Sequence, residues 1–505
     1  METDTHPEPP PDANAALCHA LAEDLHKQGR AGEAETFYRA ALALAPQRPD
    51  SWANLGLAVL TEGRAEEAIQ CEREALRLDP DNVEAHNNLG IVAHALNVFA
   101  EAENHFRGAL RRMPDHANAT LNLGVIRQSL GYPDEAEILY RRARALGVDE
   151  TRVCNNLALA LAEQERLDEA EAACRDALAA SPGYPEADVN LGMILLMRGR
   201  LTEAWPHYES RWRVPPLSRL PQLPAATRWT GAEPVEGKTI LLLAEQGFGD
   251  TLQFCRYAPI IASVGAKVVL AVPRVLQRLV GTLQGVDRVI AEDDPLPDHD
   301  LHCPLMSLPM IFGTTVETIP NRIPYLSAAP DAVGAWASII PSVGESASPR
   351  IGLAWAGGRR AGQPHAEAID RRRSMKLSDM APLAEVPGCV FVSLQLGAPA
   401  KQTETASFPL IDVTDRLTDF ADTAALIETL DLVITVDTAV AHVAGALGKP
   451  VWLLSRFDAC WRWLRDRDDT PWYPAMRLFR QTSPGDWAGT IQRVREALSQ
   501  FRVIG

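Results

Sequence analysis

Residues 430–454 read LDLVITVDTAVAHVAGALGKPVWLL. The runs 431–437 and 450–455 have strand length and are rich in valine, isoleucine and leucine. The intervening segment is dominated by alanine, carries His442, and closes on Gly448, the composition of a short helix with a glycine stop. Strand, helix, strand in so few residues points to a parallel α/β layer. Asp437-Thr438 stands where the first strand hands over to the helix. The amides opening a helix have no intrahelical partner, so this junction can hold a phosphate; it can also be packing alone.

The same texture extends outward over the second half of the chain. TILLLAEQ (239–246), KVVLAVP (267–273) and RVIAED (288–293) read as three strands. RIGLAWAG (350–357), CVFVSLQL (389–396) and LIDVT (410–414) read as three more, preceding the two strands of the opening stretch. The segment 327–349 reads as a loose connection and DWAGTIQRVREALSQF (486–501) as a closing helix. The expectation is two α/β lobes, 237–345 and 346–505, with a cleft at the carboxyl ends of their strands. A Pro-rich passage, 217–236, serves as linker.

Before the linker the chain repeats every 34 residues. Leu21, Leu55, Leu89, Leu123, Leu157 and Leu191 are in phase, as are Ala34, Ala68, Ala102, Ala136, Ala170 and Ala204. Gly56, Gly90, Gly124 and Gly192 follow the leucine, and Pro46, Pro80, Pro114, Pro182 and Pro216 close five of the units, with Val148 closing the other. This pattern resembles the tetratricopeptide repeat, a helix-turn-helix unit. Six units over 13–216 predict a superhelical solenoid with a concave groove. The acidic, Pro-rich residues 1–12 are expected to be disordered. Asn54, Asn88, Asn122, Asn156 and Asn190 precede the phased leucine. A carboxamide ladder can bind the backbone of an extended acceptor peptide, although asparagine is also ordinary at this position.

The chain has 505 residues and a formal charge of −17, which argues against nucleic-acid binding. No apolar run reaches the roughly 18 residues of a membrane span. The eight cysteines are scattered with no CxxC pair, as in a reduced cytoplasmic protein without a metal site. After the first strand, Gly247 and Gly249 lack the third glycine of a dinucleotide fingerprint, Leu252 standing in its place. There is no GxxxxGK[ST] loop, Gly-x-Ser-x-Gly elbow or HExxH helix either.

GFGD (247–250), RS (373–374), SLQ (393–395), DTAVAHVAGALGKP (437–450) and WYPAMRLFRQ (472–481) resemble segments of heptosyltransferase-like glycosyltransferases joined to tetratricopeptide repeats. The junction EAWPHYESRWRVPP (203–216) fits the same group. The asparagine ladder resembles that of O-GlcNAc transferases. The resemblance implies an α-solenoid followed by a GT-B fold of two Rossmann-like lobes, acting without a metal or resident cofactor on a nucleotide-sugar donor. It implies Asp250 as the base of an inverting transfer, a role drawn from the Gly-Asp match alone; capping of the next helix is the alternative. Donor contacts are expected from Thr438, His442, Asp437, Arg373, Ser374, Gln395 and Gly445, and acceptor contacts from Gln246 and Gln253. Trp461, Trp463 and Trp472 are expected to be packing.

The expected function is transfer of a sugar to a protein hydroxyl, with the repeats recruiting the acceptor protein and flagellin as one acceptor by family analogy. The alternatives are a heptosyltransferase-like enzyme of lipopolysaccharide or exopolysaccharide synthesis and a non-catalytic scaffold. A cytoplasmic location is expected, a homo-oligomer is compatible with the sequence, and residues after 216 are expected to fold without the repeats.

Overall fold

A computed structural model describes residues 11–217, 223–340, 348–358, 360 and 364–501. The expected disorder of 1–12 lies outside these residues except at Pro11 and Asp12, which belong to the first helix, Pro11–Lys27. By packing, the chain divides into Met1–Pro182 with Ala361–Ala368, and Gly183–Arg360 with Ile369–Gly505.

The first unit contains five helical hairpins, running from Pro11–Lys27 paired with Ala31–Leu44 to Glu150–Glu163 paired with Leu167–Ala180. Leading helices start on a proline at the first turn, as at Pro49, or on a capping side chain. Asn82, His116 and Asp149 accept from the amides of Ala85, Ala119 and Arg152. The turn inside each hairpin needs one left-handed residue, supplied by Gly29, Asn97, Gly131 and their equivalents; Glu165 holds that conformation (φ 68°) without being glycine. The phased alanines are fully buried. Gly90 and Gly124 sit where a Cβ would strike the rings of Phe106 and Tyr140, at 2.5 and 2.6 Å. The same contact in the second repeat is made by a carboxyl, Glu72, against Gly56. Leu21 departs from its phase mates. They are buried, whereas it is 43% exposed, being on the first helix of the array.

The second unit begins with the sixth hairpin, Pro185–Met197 and Leu201–Tyr208, and continues into two parallel sheets. The first holds β1 (Thr239–Leu243), β2 (Lys267–Val272), β3 (Arg288–Ala291) and β4 (Leu301–Pro304) in the order β3-β2-β1-β4. The second holds β5 (Arg350–Ala354), β6 (Val390–Ser393), β7 (Leu432–Val436), β8 (Val451–Ser455) and β9 (Met476–Arg480) in the order β6-β5-β7-β8-β9. Both orders reverse direction beside the first strand of the lobe, the geometry that opens a crevice at strand carboxyl ends.

Three expectations need correction. LIDVT makes a single bridge, Ile411 to Val392, and then turns under the Asp412 side chain, which accepts from Thr414. The connection 327–349 contains a helix, Pro330–Ile339, with Trp336 buried. β4 and β9 were not foreseen, since LHCP and MRLFR carry polar residues that mask the strand pattern. In the second lobe, Trp355, Leu432, Ile434 and Leu454 build the core with Val494 and Leu498 of the closing helix Trp487–Gln500.

Candidate functional site

β1 leads through the loop Glu245-Gln246-Gly247 into the helix Phe248–Phe254. Asp250 lies in the first turn, where one carboxylate oxygen accepts from the Gly247 amide at 3.0 Å. That contact is a helix cap. The other oxygen is held from the opposite lobe by Arg462, which also donates to Gln253 Oε1 at 2.8 Å and to Cys460 Sγ at 3.2 Å. Gln253 is fully buried, not a rim residue, and its Nε2 has no partner among the described residues.

The helix Ala439–Ala446 lies directly against this one. A Cβ on Gly249 would come within 2.8 Å of the His442 ring, and one on Gly445 within 2.5 Å of Tyr473. Glycine at 249 lets the helices of the two lobes approach, while glycine at 445 makes room for Tyr473 within the second lobe. His442 is buried, Nδ1 sharing a hydrogen bond with the Tyr473 hydroxyl at 2.9 Å. Burial pushes its pKa down to about 3 against the pull of Asp437. It is therefore a neutral imidazole that braces the seam rather than a cation.

Thr438 precedes the helix in extended conformation and makes no side-chain cap; its hydroxyl lies 3.2 Å from that of Thr435. The Asp437 carbonyl accepts from Arg373 at 3.0 Å. Among the described residues the Asp437 carboxylate has no hydrogen-bond or ion-pair partner. Arg373 also pairs with Asp370 at 2.7 Å and packs over Gly357. Ser374 Oγ accepts from the Gly357 amide at 3.1 Å and donates to the Asp370 carbonyl at 2.6 Å. Gln395 accepts from the amides of Trp355 and Ala356 and donates to the carbonyls of Ala356 and Leu396. Its amide is thus fully used in shaping the loop after β5. These side chains converge on the carboxyl ends of β5 and β7.

The sixth repeat is welded to the loop that carries Asp250. Gln246 Nε2 donates to the Tyr208 hydroxyl at 3.1 Å. Arg211 is buried and reaches both oxygens of Glu245, at 2.9 and 3.0 Å, together with Ser307 and Glu209. Burial pushes the Glu245 carboxyl up in pKa and Arg211 pulls it back. Trp205 donates to the Thr314 carbonyl at 2.9 Å and meets Trp461 edge-on. Residues 183–216 therefore hydrogen-bond the first lobe at Glu245, Gln246, Ser307 and Thr314.

Of the asparagine ladder, Asn54 donates to Glu23 at 3.4 Å, Asn88 to the Ala53 carbonyl at 3.1 Å and Asn122 to Asn87 at 3.1 Å. Asn88 is buried. Those carboxamides spend a donor on the neighbouring repeat. Asn156 and Asn190 are half-buried, the latter in the sixth repeat. Arg462, Tyr473, Tyr208 and Arg211 were missed, since an arginine or tyrosine among tryptophans reads as packing.

Comparison with known proteins follows the same division. The profile described as the cilia and flagella-associated protein 70 middle TPR-like domain matches residues 18–120, and a tetratricopeptide-repeat profile matches 155–212. The glycosyltransferase family 9 (heptosyltransferase) profile matches 406–454. Tetratricopeptide-repeat profiles and a family 9 glycosyltransferase profile thus match successive parts of the same chain. Protein FlbA of Caulobacter vibrioides is 30% identical over 329 residues, 59% of this chain; the chain spans about half, 52%, of that relative's length. Among solved structures, Pseudomonas aeruginosa pilF is 19% identical, covering 40% of this chain and 89% of its own at a TM-score of 0.35. YrrB, described as a TPR protein with an unusual peptide-binding site, is 22% identical over 35% of this chain and 92% of its own, at a TM-score of 0.30. Among the described residues no helix is long and apolar enough to cross a membrane, and no group of three His, Cys, Asp or Glu side chains is placed to hold a metal ion.

Proposed function

We propose that the chain transfers a sugar from a nucleotide-sugar donor to a hydroxyl of an acceptor protein recruited by the repeats, in the cytoplasm, by metal-independent inversion. The observation that carries this reading is the close helix-on-helix seam at Gly249. It sets Asp250 on a first-lobe helix against the second-lobe helix that begins at Thr438. An inverting transfer needs a carboxylate on the acceptor side, to take the hydroxyl proton, and helix amides on the donor side, to hold phosphate. Arg373 and the open Asp437 carboxylate flank the donor side, for phosphate and sugar hydroxyls respectively. The weld of the sixth repeat to Gln246 supports delivery of the acceptor beside Asp250.

The test incubates the full chain with a panel of nucleotide sugars and candidate acceptors, flagellin among them, and reads added sugar by mass spectrometry. Asp250→Asn retains an oxygen for the Gly247 amide and should fold, yet turnover should fall about 10²–10⁴-fold. A folded variant with near-normal turnover removes Asp250 as the base. Transfer to lipopolysaccharide core sugars and not to protein would favour the second reading, which the heptosyltransferase profile supports.

A further inference from the structure

Both oxygens of Asp250 are occupied, one by the Gly247 amide and one by Arg462. A carboxylate so held has to release one oxygen before it can take a proton from a substrate hydroxyl. Of the two partners Arg462 is a side chain, whereas the Gly247 amide is fixed in the first turn of the helix. Arg462 sits on the connection leaving β8, at the same end of the sheet as Thr438 on the neighbouring strand β7. That connection is strained, with Leu464 and Asp466 both in left-handed conformation at φ 49° and 55°. Unlike Asn97 and Glu165, which sit in repeat turns, these two residues lie beside the candidate site, where backbone strain commonly collects. The Arg462 guanidinium lies over the Trp461 ring at 4.4 Å, a surface along which a planar cation can turn.

We propose that Arg462 exchanges partners, leaving Asp250 for the phosphate of the nucleotide-sugar donor, so that donor binding itself uncovers the base. This rests on the transferase reading above. The acceptor oxygen bonds to the anomeric carbon as the bond from that carbon to the phosphate oxygen breaks. The hydroxyl proton passes to Asp250, and the electron pair departs with the nucleotide, whose new charge meets Arg462. A planar guanidinium suits both carboxylate and phosphate, so the exchange trades like for like.

Competition for one cation gives opposite signs. With inorganic pyrophosphate as the probe and calorimetry on the full chain, Asp250→Asn should bind about tenfold more tightly than the parent. Arg462→Met should bind about tenfold more weakly, and Arg462→Lys should fall between. Absence of pyrophosphate binding to the parent, or an Asp250→Asn protein that binds no tighter, overturns the exchange. If Arg462→Met does not fold, the Asp250→Asn arm decides alone. Sugar transfer without the opposite-sign pattern sinks the role of Arg462 and leaves the transferase reading standing. The pattern without transfer from any donor shows that Arg462 is shared between Asp250 and phosphate, but retires the transferase reading and with it the uncovering of a base.

Discussion

Glu72 occupies the position that Tyr38, Phe106 and Tyr140 occupy in other repeats, pressed against Gly56 with no solvent exposure. Among the described residues neither carboxyl oxygen has a partner at hydrogen-bond distance, and burial holds its pKa well above the ordinary 4.5 although the nearby Asn88 carboxamide pulls it back. Below pH 4.5 the group is neutral folded and unfolded alike, so it costs nothing extra there. Above that the unfolded chain releases the proton while the folded chain keeps it, and stability falls with rising pH up to the raised folded value. From 4.5 to pH 7 is about 2.5 pH units, which at about 1.36 kcal/mol each gives an upper bound of about 3.4 kcal/mol. Glu72→Gln removes the titration. Hydrogen exchange of the helices Pro49–Thr61 and Ala65–Leu78 should show extra protection for the variant at pH 7 that shrinks toward pH 5. Equal differences at both pH values would refute a neutral buried carboxyl.

Gly249→Ala drives a methyl into the His442 ring and strains its bond to Tyr473, so a thermal melt should show a loss of about 1–3 kcal/mol. Arg211→Met strands the buried Glu245 and should cost about 3–5 kcal/mol, with Glu245→Gln in the same chain recovering much of it. A protein starting at residue 183 should melt cooperatively, whereas one starting at 217 should not, because Trp205, Tyr208 and Arg211 hydrogen-bond the first lobe.

The repeats were legible because one spacing recurs at leucine, alanine, glycine and proline together, and such phasing survives any single substitution. The strands of the opening stretch were legible for the same reason that β9 was not. LVITV is apolar but for one threonine, while MRLFR places two arginines in five residues at a sheet edge. Motif matching found Asp250 and the Thr438 junction but not what holds them. Arg462 is distant from Asp250 in sequence, and ion pairs formed across lobes leave no local period to read. Gln395 and Ser374 stand on the right loop, yet they serve its shape through backbone hydrogen bonds that no spacing announces.

The boundary between packing units falls after Pro182, one repeat earlier than the boundary the 34-residue period suggests. Duplication and loss of repeats act in whole periods, so they can lengthen or shorten the array ahead of Gly183 while the chemistry stays intact. The sixth repeat has no such freedom. Its Tyr208 and Arg211 answer to the loop that precedes Asp250, and its Trp205 to Thr314 and Trp461, so this one hairpin is inherited with the sheets rather than with the array.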